Sequence, residues 1–445
     1  MRILILTPEY RGYGGGIVTF YRALAQALRE VGLKARVIEG GALHAADKKK
    51  VREVDGATVE ALERPRIERW WGRFQAFAAV PGLRRHLAAA WAMWEQADFG
   101  AGADIVEASD WGFLFVPAAV ESTRPLVVQA HGSIGQISAH DRIVGEEIQG
   151  MLTRLIEKTV MSLATAVQTY SNANAAFWSG ETDREVTMIR PAWKASESHP
   201  ASSLVDRGLV VGRVQRWKGP QVVCAALERL GTRAPIVDWI GRDTVWGRRD
   251  SSTSAHLAGA YPGIWGMRVV HNPQMPPEEV ARRQAAALFN IVPSNWDVFN
   301  FTAIEAMASG RPTIVSNGAG ASELIEDGVN GYLFKAGDSE ALAAALERVL
   351  SEQPARIAKL GRAAQETVRT SLDPEKIASQ RMATYCAAID AFAANPTAPA
   401  TGWIGDICRP TKGAKQSDTA FLEHFPLREL TSHVVQRVSR RIFSR

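Results

Sequence analysis

Asp297 and Glu305 are the residues of this chain best placed to act on a polar ligand, one just before the mouth of a helix and the other inside it. Leu288 to Val292 reads as a buried parallel strand and Ser294–Asn295 as the turn after it. Ala303, Ala306 and Met307 then recur at helical spacing until Gly310 and Pro312 stop the helix. A strand's carboxyl end thus delivers Asp297 to a helix N-terminus, where ligands settle in open α/β sheets and free backbone N–H groups favour anions. Read alone, Asp297 also suits a helix cap and Glu305 a solvated helix acid.

The stretch Pro293–Pro312 resembles the signature of retaining nucleotide-sugar glycosyltransferases of the GT-B fold, the group 1, glycosyltransferase family 4-like proteins. That family shows Glu, seven residues, then Glu. Here the spacing is kept, Asp297 replaces the first Glu, and Asn300 stands where the family commonly has Gly. The resemblance implies two Rossmann-like, doubly wound α/β domains facing a cleft. It also implies transfer of a sugar from a nucleotide diphosphate sugar with retention of configuration, the departing phosphate oxygen taking the acceptor proton. Glu305 then holds the donor ribose hydroxyls, since one carboxylate accepts from two vicinal hydroxyls. Asp297 contacts the donor sugar, with Asn300, Phe301 and Thr302 beside it in the donor-binding set.

Other segments look like further parts of the same machinery. Val210–Gly219 places Arg213 and Lys218 after the first strand of a second domain, resembling the family's loop that binds the diphosphate through a planar fork and a point charge. In the first domain, Arg11–Gly16 links strand to helix, and Gly15 and Gly16 let backbone approach the donor phosphate. His131, after the strand Leu126–Ala130, resembles the family's active-site histidine, which polarises a sugar hydroxyl or carries developing charge. Gly318 and Gly320, ahead of Glu323, look like a second glycine loop. Its N–H groups would meet the donor, and Glu323 a sugar hydroxyl. The catalytic set implied is His131, Asp297, Arg213 and Lys218. No Asp–any–Asp pair occurs, so no metal or other cofactor is expected, fixed cations and N–H dipoles serving instead.

Length and composition agree with two domains: 445 residues, 46% apolar. The division expected is an acceptor-side domain at 1–190, a nucleotide-sugar-binding domain at 191–372, a helix at 373–392 returning to the first domain, and a basic tail at 393–445. Pro191–Ser203 is the expected linker, and Pro396–Thr401 reads as a flexible connector. The net charge of +5 is too slight and dispersed to argue for nucleic acid. Cys224, Cys386 and Cys408 lie far apart without metal-ligand spacing, read as packing residues, and fit a cytoplasmic protein. Contact with an anionic membrane surface, peripheral at its inner face, is suggested by Arg64–Phe77 with its Trp70–Trp71 pair and by the basic amphipathic end Val434–Arg445.

The expected partners are a nucleotide-sugar donor and a glycan or lipid-linked acceptor, in surface glycan, polysaccharide or glycolipid synthesis. Two rival readings remain. One is a catalytically weak sugar-nucleotide-binding protein, suggested by Asp297 and Asn300. The other is a nicotinamide oxidoreductase, suggested by Gly12, Gly14 and a ribose-binding acid at Glu39, although Ile17 stands where the third glycine of that fingerprint belongs.

Overall fold

The structure is a computed structural model, describing residues 1–12, 15–48, 50–140, 147–194, 204–246, 251–410, 420–423 and 425–443. The centre of the first glycine loop and most of the expected linker lie outside the described residues.

Two sheets organise the chain. The first holds β1 (Ile3–Thr7), β2 (Ala35–Glu39), β3 (Val51–Val54), β4 (Ala57–Ala61), β5 (Ile105–Ser109), β6 (Leu126–Gln129), β7 (Ala166–Thr169) and β8 (Thr187–Met188), in spatial order β3-β4-β2-β1-β5-β6-β7-β8. The second holds β9 (Gly208–Val211), β10 (Val237–Ile240), β11 (Val269–Asn272), β12 (Phe289–Val292), β13 (Thr313–Ser316) and β14 (Tyr332–Phe334), in order β11-β10-β9-β12-β13-β14. Central strands such as Ile3–Thr7 and Phe289–Val292 are buried along their whole length, as parallel strands with helices on both faces must be. Both orders reverse direction beside the first strand, between β1 and β5 and between β9 and β12. These are the switch points where doubly wound sheets open a crevice at their carboxyl ends.

Sequence reading missed three strands. β3 and β4 form an antiparallel pair, the one such pair of named strands among the described residues, closed by Asp55 and Gly56, both at positive φ. That conformation is the two-residue hairpin turn that Asp-Gly favours. β3 carries charge and lies exposed at the sheet edge, so it lacks the apolar run that reveals a central strand. β14, at the far edge of the second sheet, has three residues.

The helix Pro374–Ala394 starts at Asp373, whose carboxylate accepts from the Lys376 N–H at 2.9 Å. It packs on the first domain, against Gly16–Glu30 and the strands β5 and β6. Its Arg381 forms a fully buried ion pair with Glu107 of β5 at 3.0 Å, and Tyr385 donates to the same carboxylate.

The segment beyond residue 394 does not remain a free tail. Ala400 N–H donates to Val120 O at 2.9 Å, and Arg409 reaches Val120 and Ala400 carbonyls at 2.8 and 2.7 Å. Ile404, Ile407, Cys408, Phe421 and Phe425 join the first domain's core. Apolar burial outweighs the polar composition of the connector. Trp70 is also core: it stacks on Trp91 and donates to Glu95 at 3.0 Å, while Arg84 lies 4.2 Å over Trp71. The expectation that this Trp pair faces lipid is therefore corrected. Cys224 and Cys408 are buried, but Cys386 is exposed and packs nothing.

Candidate functional site

Two loops of the second domain are fastened side by side at its switch point. Asn295 N–H donates to Trp217 O at 2.8 Å, joining the loop after β12 to the loop after β9. Gly219 makes this possible: its φ is +78°, and a Cβ there would lie 1.9 Å from Pro293 O. The result is an ion pair between Lys218 and Asp297, with side chains only 18% and 15% exposed. Trp217 collects the cations. Lys218 Nζ sits 4.2 Å from its ring centroid and the exposed Arg213 guanidinium 5.9 Å. A cluster of two cations, one acid and a buried indole thus occupies the place where the fold binds ligands.

The helix after Asp297 runs from Phe301 to Ala308. Asn300 precedes it at φ +79°, a left-handed conformation that Gly adopts freely and Asn tolerates. Its side chain caps the helix through Thr302 N–H at 3.1 Å and donates to Ser294 Oγ at 3.1 Å. Thr302 Oγ1 bonds Asn300 as well, at 2.6 Å. The geometry therefore gives Asn300 and Thr302 a local structural task, with both ends of the Asn amide engaged. Glu305 differs: burial pushes its carboxyl up to about 7, and no cation among the described residues offsets the cost.

From the first domain, the helix Gly16–Glu30 turns its N-terminus toward these loops. Gly15 is extended, no side chain among the described residues caps the helix, and Gly15 and Gly16 are exposed. A Cβ on Gly16 would stand 3.1 Å from the Phe301 ring, so Phe301 fills a contact between the domains rather than presenting a donor surface. Further contacts cross the cleft. Ser171 Oγ donates to Val298 O at 2.8 Å, and His140 stacks on Trp296 at 4.4 Å and 8°.

Three expectations are corrected here. Glu323 accepts from Asn172 N, Asn172 Nδ2 and Ala173 N at 3.0, 3.0 and 3.1 Å, capping a first-domain helix instead of awaiting a sugar. The second glycine loop uses its own N–H groups: Gly318 donates to Ser316 Oγ, Gly320 to Asp297 O and Ala321 to Phe299 O, at 3.0, 3.0 and 2.7 Å. Gly318 and Gly320 are small because Asn295 O and Val298 O press on them, 2.4 and 2.1 Å from where a Cβ would lie. They hold the Asp297 loop in place. Glu39 accepts from Tyr10 N and Arg11 N at 3.1 and 2.9 Å and pairs with the Arg11 guanidinium. It pins the glycine loop and is not a free ribose-binding acid, which removes the motive for a nicotinamide cofactor.

His131 sits at the end of β6 as expected, within a cage of Phe20, Tyr21 and Tyr170. Nδ1 bonds the Tyr170 hydroxyl, and Nε2 is covered with no hydrogen-bond partner among the described residues. Burial, then the Arg381 charge, pushes its pKa well below the ordinary 6.5. The ring is a neutral dipole in the cleft wall, which disfavours the expected role of carrying developing charge. Asp110 supports it from below, accepting from His131 N and Gly132 N at 3.0 and 3.2 Å; burial raises that carboxyl to about 7.

Residues 206–352 match the family model described as glycosyl transferases group 1. That match covers most of the second domain. The chain is 33% identical over 208 residues to a D-inositol 3-phosphate glycosyltransferase of Nocardiopsis dassonvillei, covering 43% of this chain and 48% of that protein. To the protein of the same name from Thermobifida fusca it is 28% identical over 221 residues, 48% and 50% of the two chains. The chain thus spans about half the length of these curated relatives. Among solved structures it resembles a sucrose-phosphate synthase from Thermosynechococcus elongatus (TM-score 0.68, 21% identity, 89% of this chain and 100% of that one). It also resembles Anabaena Alr3699/HepE in complex with UDP-glucose (TM-score 0.63, 20% identity, 87% and 100%). The two domains together adopt the GT-B fold of these structures.

Sequence reading did not find Trp217 and Trp296 as cleft residues, nor Ser171 and Asn172 as the opposite wall. The Trp positions flank Lys218 and Asp297 directly, which is the signal that was available.

Proposed function

We propose that this chain transfers a sugar from a nucleotide diphosphate sugar to an acceptor, with retention of anomeric configuration and without a metal. The observation that carries the reading is the convergence of Arg213, Lys218 and Asp297 at the switch point of the second domain, facing the uncapped N-terminus of helix Gly16–Glu30. Breaking the glycosidic bond leaves negative charge on a diphosphate. Two fixed cations and the oriented N–H groups of that helix stabilise it where it develops. Lys218 enters with one donor directed at Asp297 and two left for phosphate oxygens. Glu305 accepts from the ribose hydroxyls, and those donors compensate the ionised form that burial disfavours. Asp297 orients Lys218 and meets the transferred sugar. His131, neutral and bonded to Tyr170, helps to hold the β6 loop that lines the cleft.

The acceptor enters on the side of the first domain and is a glycan or a lipid-linked molecule in surface glycan or glycolipid synthesis. The protein works at the inner face of the membrane, bound peripherally. The names of the similar proteins support sugar transfer in general, and the UDP-glucose complex of one structural neighbour makes uridine nucleotides the first donors to try.

The test is a panel of nucleotide sugars incubated with the protein and candidate acceptors. Products are weighed by mass spectrometry and their anomeric configuration read by NMR, with and without EDTA. A product of unchanged configuration, formed equally with EDTA, is expected. An inverted product or EDTA-sensitive turnover contradicts the mechanism, and nucleotide-sugar binding without transfer to any acceptor turns the protein into a binding module.

A further inference from the structure

We infer that the helix Leu427–Phe443 is an anchor that seats the first domain on an anionic lipid bilayer. The helix is 17 residues long and continues from Leu422 and Phe425, which pack in the first domain's core together with Leu430 in its first turn. Its other apolar residues are left in solvent: Leu427, Val434, Val435, Val438 and Ile442 are 79, 58, 60, 51 and 63% exposed. At helical spacing these positions fall along one stripe, and isolated exposed apolar residues would not do so.

Charge selects the occupant. Residues 427–443 hold four arginines against one glutamate, Glu429. A basic helix with one apolar stripe and low overall hydrophobicity lies in the headgroup layer, sinking the stripe while arginine stems extend to phosphates. A coiled coil with a second copy fits less well. A seam that begins Leu427, Leu430, Val434 continues at Arg437 and Arg441, placing charge where such a seam needs apolar residues. The base of the helix also adjoins a basic part of the first domain. Ala420–Leu422 touches Gln75–Phe77, just after the exposed Arg69 and Arg73.

This inference deepens the proposed membrane-side function and rests on it for its purpose: it assigns the binding surface to the C-terminal helix, with the acceptor-side domain nearest the lipid. It also explains an apolar face that the catalytic cleft does not use.

The experiment is flotation of the full-length protein with vesicles of phosphatidylcholine alone or mixed with phosphatidylglycerol, at low and high salt. Co-flotation with the anionic vesicles, weakened by salt, is expected. The double variant Val434→Glu/Val438→Glu should bind at least about tenfold more weakly, and Arg428→Glu/Arg437→Glu should lose the salt-sensitive part. All four positions are solvent-facing, and a nucleoside-diphosphate thermal shift on the same samples reports that the fold is intact. Absence of wild-type flotation, or equal flotation of the Val variant, overturns the anchor. A wild-type dimer that the Val variant converts to monomer also overturns it, assigning the face to a second copy. Nucleotide binding retained without flotation sinks the anchor alone, whereas flotation without nucleotide binding sinks the enzymatic reading alone.

Discussion

Replacing Glu305 by Gln should make the protein more stable at alkaline pH and worse at binding its nucleotide. Burial lifts this carboxyl from an ordinary 4.5 to about 7. A folded-state pKa above the unfolded one means the folded chain holds its proton longer, so stability falls as pH rises from about 4.5 to 7 and is constant above. The gap corresponds to about 3 kcal/mol carried by the ionised fold. Glu305→Gln removes that cost and should raise urea-denaturation stability at pH 8 by up to about this amount, with little change at pH 4.5.

If ribose hydroxyls bond the ionised carboxylate, binding should weaken as the group is protonated. Half of it is ionised at pH 7 and about one part in eleven at pH 6, so affinity should fall roughly fivefold over that step. Calorimetric titration of a nucleoside diphosphate into wild type and variant measures this, and the variant's own slope subtracts titration of the phosphate. Parallel pH slopes in the two proteins, or an unchanged stability at pH 8, would refute the reasoning.

Lys218→Ala and Arg213→Ala should each weaken nucleoside-diphosphate affinity by about 1.5–3 kcal/mol, the range for hydrogen bonds to charged groups, as measured by calorimetry. Glu323→Ala removes three hydrogen bonds between the domains, so small-angle scattering should show a larger radius of gyration and kinetics a higher KM; identical scattering would count against the latch. Arg381→Met leaves Glu107 buried without its cation and should cost about 3–5 kcal/mol in urea denaturation. Adding Glu107→Gln should recover much of that loss.

The doubly wound architecture was legible because central strands such as Phe289–Val292 are unbroken apolar runs and their helices carry clear stops such as Gly310 and Pro312. The neighbourhood of Lys218 and Asp297 was legible because each directly follows a strand. What failed was the assignment of tasks to residues whose partners lie far along the chain. Glu323, after a glycine loop, and Glu39, at the end of β2, look like free acids, and only tertiary contact with Asn172 and Arg11 reveals them as consumed. The glycines at 318 and 320 suggest an anion cradle, yet their smallness admits the neighbouring carbonyls of Asn295 and Val298. The hairpin at Asp55–Gly56 did carry its signal in the turn, although the charged edge strand hid it. Segment 242–266 has no such local code. Its described residues include the helix Thr253–Ala260 and Trp246, which stacks on His256 at 3.9 Å.

The most direct test of the central claim is calorimetric binding of uridine, guanosine and adenosine diphosphates to wild type and to Arg213→Ala/Lys218→Ala. At least one diphosphate should bind wild type and lose about a hundredfold or more in the double variant, in line with two lost charge-assisted contacts. Equal binding in both proteins, or none of the three bound by wild type, would contradict the claim that these two cations grip the activated donor.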